Sequence, residues 1–103
     1  MPNPKTQIRP VQSKNEAFLY HLIIQKVLKE EQNLLVKINE NEIHFIAITE
    51  YDEVFGTAAL SFENGERKIS KIAIVKGFRH LNYEKYIRNE LENWKITDDL
   101  VKM

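Results

Sequence analysis

The sequence has no cysteine among its 103 residues. Disulfides, thiolate nucleophiles and cysteine-ligated zinc sites are therefore excluded. Glycine and proline are scarce, with three of each, whereas hydrophobic residues make up 43% of the chain and charged residues 29%. This composition is typical of a folded protein rather than a disordered or low-complexity one, and the length suffices for one small domain.

Long apolar runs are also absent, since no run exceeds four residues, the length of Ala17–Tyr20. A membrane-spanning helix needs about 20 consecutive apolar residues. The opening residues "MPNPKT" lack the apolar stretch of a secretory signal. We therefore expect a cytoplasmic protein that does not enter a membrane.

The net charge is zero, but the charges are unevenly distributed. Residues 67–80 carry basic side chains and no acid: Arg67, Lys68, Lys71, Lys76 and Arg79. Such a patch can attract an anion, although lysines also protect the edge strands of sheets from unwanted pairing. Basic and aromatic residues together are typical of nucleic-acid binding, but the neutral net charge makes nucleic acid an unlikely partner.

The first third of the chain predicts a strand followed by a helix. Residues 6–11, "TQIRPV", form the strand, and Pro10 places it at a sheet edge. Ser13 and Glu16 form the capping-box pattern, in which Ser13 caps the helix and Glu16 reaches back. Apolar residues then recur at spacings of three and four until residues 31–33. Residues 33–42 are ambiguous between a last helical turn and a brief strand.

The middle of the chain predicts three antiparallel strands, because its apolar period changes to two from residue 42. Residues 42–48 form a central strand and residues 54–62 the next. The pair Asn64-Gly65 predicts a type I′ hairpin turn. In the third strand, residues 67–75, Ile69 is out of phase with Ile72 and Ile74, and a β-bulge near residues 70–71 would absorb this slip.

The last helix is predicted to begin at Asn82, a favourable N-cap residue. One stripe of this helix predicts core contacts: Tyr83, Tyr86, Ile87, Leu91 and Trp94. The fold class is therefore α/β (α+β), with a small, mostly antiparallel sheet of about four strands and two covering helices. We expect a flexible tail at residues 1–5, a single domain at residues 6–96 and a C-terminal tail at residues 97–103.

Three segments carry a resemblance to a known family: "IRPV", "AITEYDEVFGTAAL" and "IAIVKGFRHLNYEKYI". Over residues 6–94 their order resembles the N-terminal two-thirds of the GCN5-related N-acetyltransferase (GNAT) superfamily. In that family the last meander strand presents its backbone to the pantetheine arm of acetyl-CoA. An arginine turn with small residues then wraps the pyrophosphate at a helix N-terminus. The resemblance assigns cofactor contacts to Ile74, Val75, Arg79, His80, Asn82 and Glu84.

The sequence departs from this family at three of these positions. His80, Asn82 and Glu84 stand where a glycine or another small residue is usual, and glycines allow close backbone approach to a phosphate. Asn82 can tolerate a left-handed conformation, but Glu84 cannot replace a small residue. The carboxylate of Glu84 also competes with an anion for the helix N-terminus. Arg79, Lys76 and His80 can offset this effect by pairing directly with phosphates.

The family's C-terminal strands and helix find no counterpart in the nine residues after Trp94, so the resemblance is to a truncated and degenerate member. The tail offers no tyrosine to protonate a leaving thiolate. Glu63 and His44 are the candidate general bases, but His44 alternates with apolar residues, which favours a satisfied core or surface histidine. No catalytic residue is assigned, and no histidine spacing indicates a metal site.

Two functions follow as expectations. The first is an acetyltransferase-like domain that binds acetyl-CoA and has weak or lost N-acetyltransferase activity. The alternative is a non-catalytic interaction module, because the backbone of residues 71–75 would be an open sheet edge. A partner strand or a second copy of the chain would complete the sheet there.

Overall fold

The computed structural model describes residues 6–34, 36 and 41–94. Both predicted tails, residues 1–5 and 97–103, lie outside the described residues, as does half of the ambiguous segment 33–42. In chain order the elements are strand β1 (Gln7–Pro10), helix α1 (Lys14–Ile23), a π-helix that continues it (Ile24–Glu31), strands β2 (Ile43–Ile48), β3 (Val54–Glu63) and β4 (Glu66–Ile74), a 3₁₀ helix (Lys76–Leu81) and helix α2 (Tyr83–Glu92).

In the described part of the chain, the four strands form one antiparallel sheet in the order β1-β2-β3-β4. The predicted α+β class is confirmed, with β2 in a central position and β1 at an edge. Among the same residues, no helix is both long enough and apolar enough to cross a membrane.

The sheet has a hydrophobic core on each face. On the α1 face, Tyr20 of α1 and Ile24 and Val27 of the π-helix pack against the sheet, where Ile46 and Ala73 belong to the same core. The core of the α2 face contains further buried residues, among them Phe45, Phe55, Leu60, Tyr83, Ile87 and Leu91. The predicted stripe of α2 therefore packs in or against this core. The sheet has a core on each face because successive apolar side chains of its strands point to opposite sides.

The capping box at the start of α1 forms in a modified way. Ser13 Oγ accepts from the backbone N–H of Glu16 at 3.1 Å, as expected. The carboxylate of Glu16 instead accepts from the N–H of Gln12 at 2.8 Å and from both terminal nitrogens of Arg9, at 2.6 and 2.8 Å. This bidentate pair ties the helix start to β1, and it holds the pKa of Glu16 below its ordinary value.

The bulge predicted near residues 70–71 is present and centres on Lys71. Ala59 pairs with Ser70 and Thr57 with Ala73, so two residues of β4 lie opposite one of β3. Lys71 adopts a left-handed conformation with φ of 54°. Because of this extra residue, Ile69, Ile72 and Ile74 all pack against the core of the α2 face. The predicted hairpin turn is also confirmed, with positive φ at Asn64 (53°) and Gly65 (82°).

The connection from β4 to α2 is longer than a single turn. A six-residue 3₁₀ helix, Lys76–Leu81, lies between them, and it begins where the N–H of Phe78 donates to Val75 O at 2.9 Å. The ring of Phe78 stacks on Phe55 at 4.5 Å and fixes this helix on the sheet. Asn82 then takes a left-handed conformation with φ of 61°, and α2 begins at the next residue.

Candidate functional site

Two adjoining cavities lie along the side of β4 that points away from β3, and together they form what we call the β4 groove. Their volumes are about 240 and 350 Å³, and they share three lining residues, Gln32, Ile72 and Glu84. The smaller cavity is also lined by Ile74, Arg79, Asn82 and Tyr83. The larger cavity extends towards the bulge, where its further lining residues are Leu28, Leu34, Val36, Ser70, Lys71 and Arg88.

The backbone of β4 faces this groove. Val75 donates its N–H to Phe55 O of β3 at 2.9 Å, whereas the carbonyl of Ile74 accepts from Arg79 Nε at 2.9 Å. Successive residues of an antiparallel strand direct their hydrogen-bonding groups to opposite sides. In the part of the chain that the structure describes, β4 pairs only with β3. The backbone N–H and C=O groups of Ile72 and Ile74, which point away from β3, are therefore directed towards the groove.

Arg79 is the cation at one end of the groove. Its Nε holds the Ile74 carbonyl and its Nη2 forms an ion pair with Glu31 at the end of the π-helix. The two side chains are 41% and 34% exposed, respectively, so the pair is open to solvent. The 3₁₀ helix positions Arg79, because it returns the chain over the end of β4.

The N-terminus of α2 lies beside Arg79. Asn82 is the N-cap residue, but its side chain makes no capping hydrogen bond. Its left-handed backbone is one that asparagine tolerates better than most residues. Glu84, in the first turn, lies 4.0 Å from Arg88 one turn later and is well exposed. Its carboxylate therefore has a partner within the helix.

The groove brings together four of the six residues predicted from the family resemblance: Ile74, Arg79, Asn82 and Glu84. Val75 instead packs against the core of the α1 face. His80 belongs to the 3₁₀ helix. Sequence reasoning missed Glu31, which pairs with Arg79, and Gln32, which lines both cavities. Their positions depend on the π-helix, which has no recognised sequence signal.

A second group of polar residues, which we call the Glu42 cluster, lies on the α1 face: Tyr20, Glu42, His44 and Lys71. The carboxylate of Glu42 is 6% exposed and forms an ion pair with Lys71 Nζ. Its second oxygen lies 3.4 Å from His44 Nε2, without the alignment of a hydrogen bond. The ring of His44 stacks on Tyr20 at 4.4 Å. This contact links α1 to the sheet.

The two candidate bases differ in their surroundings. Burial lowers the pKa of His44, and the nearby carboxylate of Glu42 opposes this shift. Half-buried His44 therefore matches the interpretation of a core histidine. Glu63 is exposed at the end of β3 and lies 3.5 Å from Lys68. In residues 6–34, 36 and 41–94 no group of three or more acidic or histidine side chains is arranged to hold a metal ion.

No family model and no curated protein matches the sequence. Solved structures do match. One is an acetyltransferase of the GNAT family from Staphylococcus aureus Mu50, with a TM-score of 0.64 and 19% identity over 84% of this chain and 63% of that chain. Another is a GCN5-related N-acetyltransferase from Kribbella flavida, with a TM-score of 0.62 and 10% identity over 90% of this chain and 38% of that chain.

These similarities show a GNAT-like fold, as the three sequence segments predicted. The chain spans less than two thirds of the length of either structure. At such low identities the likeness concerns the fold, and the activities named for the two proteins remain theirs.

Proposed function

We propose that the β4 groove binds an acyl-CoA, acetyl-CoA being the simplest, in an acetyltransferase-like domain with weak or lost N-acetyltransferase activity. The observation that carries this proposal is the outward-directed backbone of β4 next to a cavity that ends at Arg79. The GNAT-like fold supports it, because the two solved structures with this fold are described as acetyltransferases.

The pantetheine arm would lie along β4. Its amides need donors and acceptors, and the outward-facing groups of Ile72 and Ile74 supply them in the manner of a strand that extends the sheet. The carbonyl oxygen of Ile74 already accepts a hydrogen bond from Arg79 Nε. A donor of the ligand would have to share this oxygen with Arg79. Val75 would act by anchoring the end of β4 to Phe55 rather than by touching the ligand.

The pyrophosphate would lie between Arg79 and the start of α2. A guanidinium group and a helix N-terminus both favour phosphate. The left-handed backbone of Asn82 takes the place of one glycine of the family turn. Glu84 is the feature that fits least well, but its interaction with Arg88 partly neutralises its charge. His80, in the 3₁₀ helix beside Arg79, is the remaining candidate contact.

The weak or lost activity follows from the surroundings of the candidate bases. Acetyl-CoA, when bound, supplies an acetyl group activated as a thioester. Transfer to an amine also requires a base that removes the proton of the amine. Glu63 is engaged with Lys68 beside the hairpin, and His44 stacks on Tyr20 within the α1 face. Neither residue lines the β4 groove, which supports weak or lost transfer in a domain that still binds the thioester.

An amide NMR titration with acetyl-CoA tests this proposal. We expect chemical-shift changes concentrated at residues 72–84 in the wild-type protein and a weaker response in Arg79→Gln. Lys68→Gln is the matched control, because it removes an exposed positive charge from β4 at a residue that does not line the groove. An unchanged wild-type spectrum, or equal weakening by both substitutions, would contradict binding at Arg79.

The open edge supports a second candidate, in which a partner strand or a second copy of the chain pairs with residues 71–75. Within the described residues β4 has a neighbour on one side only, and half-buried Ile72 lines both cavities. Sedimentation equilibrium over a range up to high micromolar concentration tests the homodimer. A concentration-dependent dimer that Ile72→Lys abolishes would support it, and a strictly monomeric protein would contradict it.

A further inference from the structure

The guanidinium group of the β4 groove is already engaged by a carboxylate of the same chain. Arg79 Nη2 forms an ion pair with Glu31 Oε2, while Nε is held by the Ile74 carbonyl. Because both charged side chains are partly exposed, a dissolved anion can reach the pair. A phosphate that binds to Nη2 must therefore compete with Glu31.

The π-helix brings Glu31 to this position. Its end is closed by a hydrogen bond of 3.1 Å from the Gln32 N–H to the carbonyl of Val27, five residues earlier. Such helices are rare, usually limited to one turn, and frequent at functional sites, whereas this one has eight residues. Its wider turns place the last residues at other angles about the helix axis than an α-helix would. Gln32, the next residue, lines both cavities.

We propose that Glu31 is an intrachain competitor for the phosphate site of the β4 groove, because it occupies Arg79 until a phosphorylated ligand displaces it. This inference rests on the proposed function. A pyrophosphate offers Arg79 more charge and more acceptor oxygens than one carboxylate, so it can replace Glu31. A pantetheine thioester without phosphate carries no anionic group that could pair with Arg79, so it leaves the ion pair intact. Glu31 therefore lowers the affinity of the groove for CoA thioesters and leaves its affinity for the same acyl groups on uncharged carriers unchanged.

The size of the effect follows from solvent exposure. A partly exposed ion pair is weakly stabilising, because water and salt screen it and its side chains lose freedom. Removing the competing carboxylate should therefore increase the affinity for CoA modestly, by about two- to five-fold. The affinity for pantetheine should not change, and the CoA effect should shrink as salt increases.

The test compares CoA and pantetheine as ligands of wild type, Glu31→Gln and Glu30→Gln by NMR titration. Glu30→Gln is the matched control, because it removes the same charge from the adjacent residue of the same helix. We expect tighter CoA binding for Glu31→Gln alone and unchanged pantetheine binding for all three proteins. In an Arg79→Gln background, Glu31→Gln should no longer increase the affinity for CoA.

The outcomes separate this inference from the proposed function. An equal gain in Glu30→Gln and Glu31→Gln would show a general effect of charge and overturn the role of the contact. CoA binding that Glu31→Gln leaves unchanged would also overturn it, while the proposed function would stand. If CoA binds to none of the proteins, the proposed function itself fails, and this inference with it.

Discussion

The hydroxyl group of Thr57 holds the bulge of β4 in place, because its Oγ1 donates to the carbonyl oxygen of Lys71 at 2.9 Å. Thr57 is buried, and Lys71 has a left-handed backbone that most side chains disfavour. The bulge in turn brings Ile72 and Ile74 onto the α2 face. One hydrogen bond therefore supports the register of the strand that borders the groove.

Thr57→Val should destabilise the protein by about 1–3 kcal/mol, because it removes the donor and leaves a carbonyl that is shielded from water without it. Valine has nearly the same shape, so packing changes little. Urea denaturation measures the loss, and amide shifts should change most around residues 70–73. Thr57→Ser retains the hydroxyl and should lose less. Equal losses for serine and valine would argue against the hydrogen bond as the cause.

Gly56 is required by the close approach of β4. A Cβ at this position would lie 3.1 Å from Ile74 Cδ1 and 3.2 Å from the carbonyl oxygen of Ala73. The backbone oxygen cannot rotate away, so Gly56→Ala should cost about 1–3 kcal/mol. At Gly77 the same addition meets no atom within 4 Å, and Gly77→Ala serves as the control. Thermal unfolding compares the two, and similar stabilities would contradict the steric argument.

The ion pair of Glu42 and Lys71 is buried, with side chains 6% and 12% exposed. Lys71→Met leaves the carboxylate without its main partner and should cost about 3–5 kcal/mol. His44, 3.4 Å from that carboxylate, should keep the loss near the lower limit. Denaturant unfolding measures it.

The double variant Glu42→Leu/Lys71→Met removes both charges and should recover most of this stability, because an apolar pair needs no compensation. If the double variant is as unstable as the single one, packing rather than the unpaired charge limits stability.

His44 should make the stability of the protein depend on pH. Burial lowers its pKa, while Glu42 raises it and His21 and Lys71 lower it further. Below the ordinary histidine pKa of about 6.5, the unfolded chain therefore takes up a proton more readily than the folded one. The contribution of His44 to the free energy of unfolding is fully present above that pH. It is lost as the pH falls through the lower pKa of the folded protein.

The variant His44→Phe keeps a ring against Tyr20 but cannot titrate, so the unfolding free energy of wild type should fall relative to that of this variant as the pH is lowered. NMR titration of the imidazole signals checks the pKa directly. A His44 pKa at or above the ordinary value would contradict the prediction.

The features that could be predicted from sequence depend on local patterns. The phase change between Ile69 and Ile72 can be absorbed only by an extra residue, and it predicted the bulge at Lys71. Asn64-Gly65 predicted its turn. Four of the residues that the resemblance around Arg79 assigned to a cofactor line the groove.

The features that were missed depend on contacts between residues that lie far apart in the sequence. Glu31 and Arg79 are 48 residues apart, and Glu42 and Lys71 are 29 apart. Charge alone cannot select such partners, because many acidic and basic residues are available. The continuation of α1 as a π-helix likewise follows from tertiary contacts, since its apolar spacing is compatible with an ordinary α-helix.

Asn82 offers a test that joins stability to the proposed ligand. Its φ of 61° is costly for residues with a Cβ, less so for asparagine and not for glycine. Asn82→Gly should be neutral or stabilising by up to about 1 kcal/mol, whereas Asn82→Ala should destabilise by about 1 kcal/mol.

Glycine at position 82 would also allow closer approach of a phosphate to the start of α2. We therefore expect Asn82→Gly to bind acetyl-CoA more tightly in the NMR titration, and Asn82→Ala to bind it no better than wild type. If glycine stabilises the fold but leaves the affinity unchanged, the left-handed residue serves the turn alone, and the pyrophosphate does not approach the backbone there.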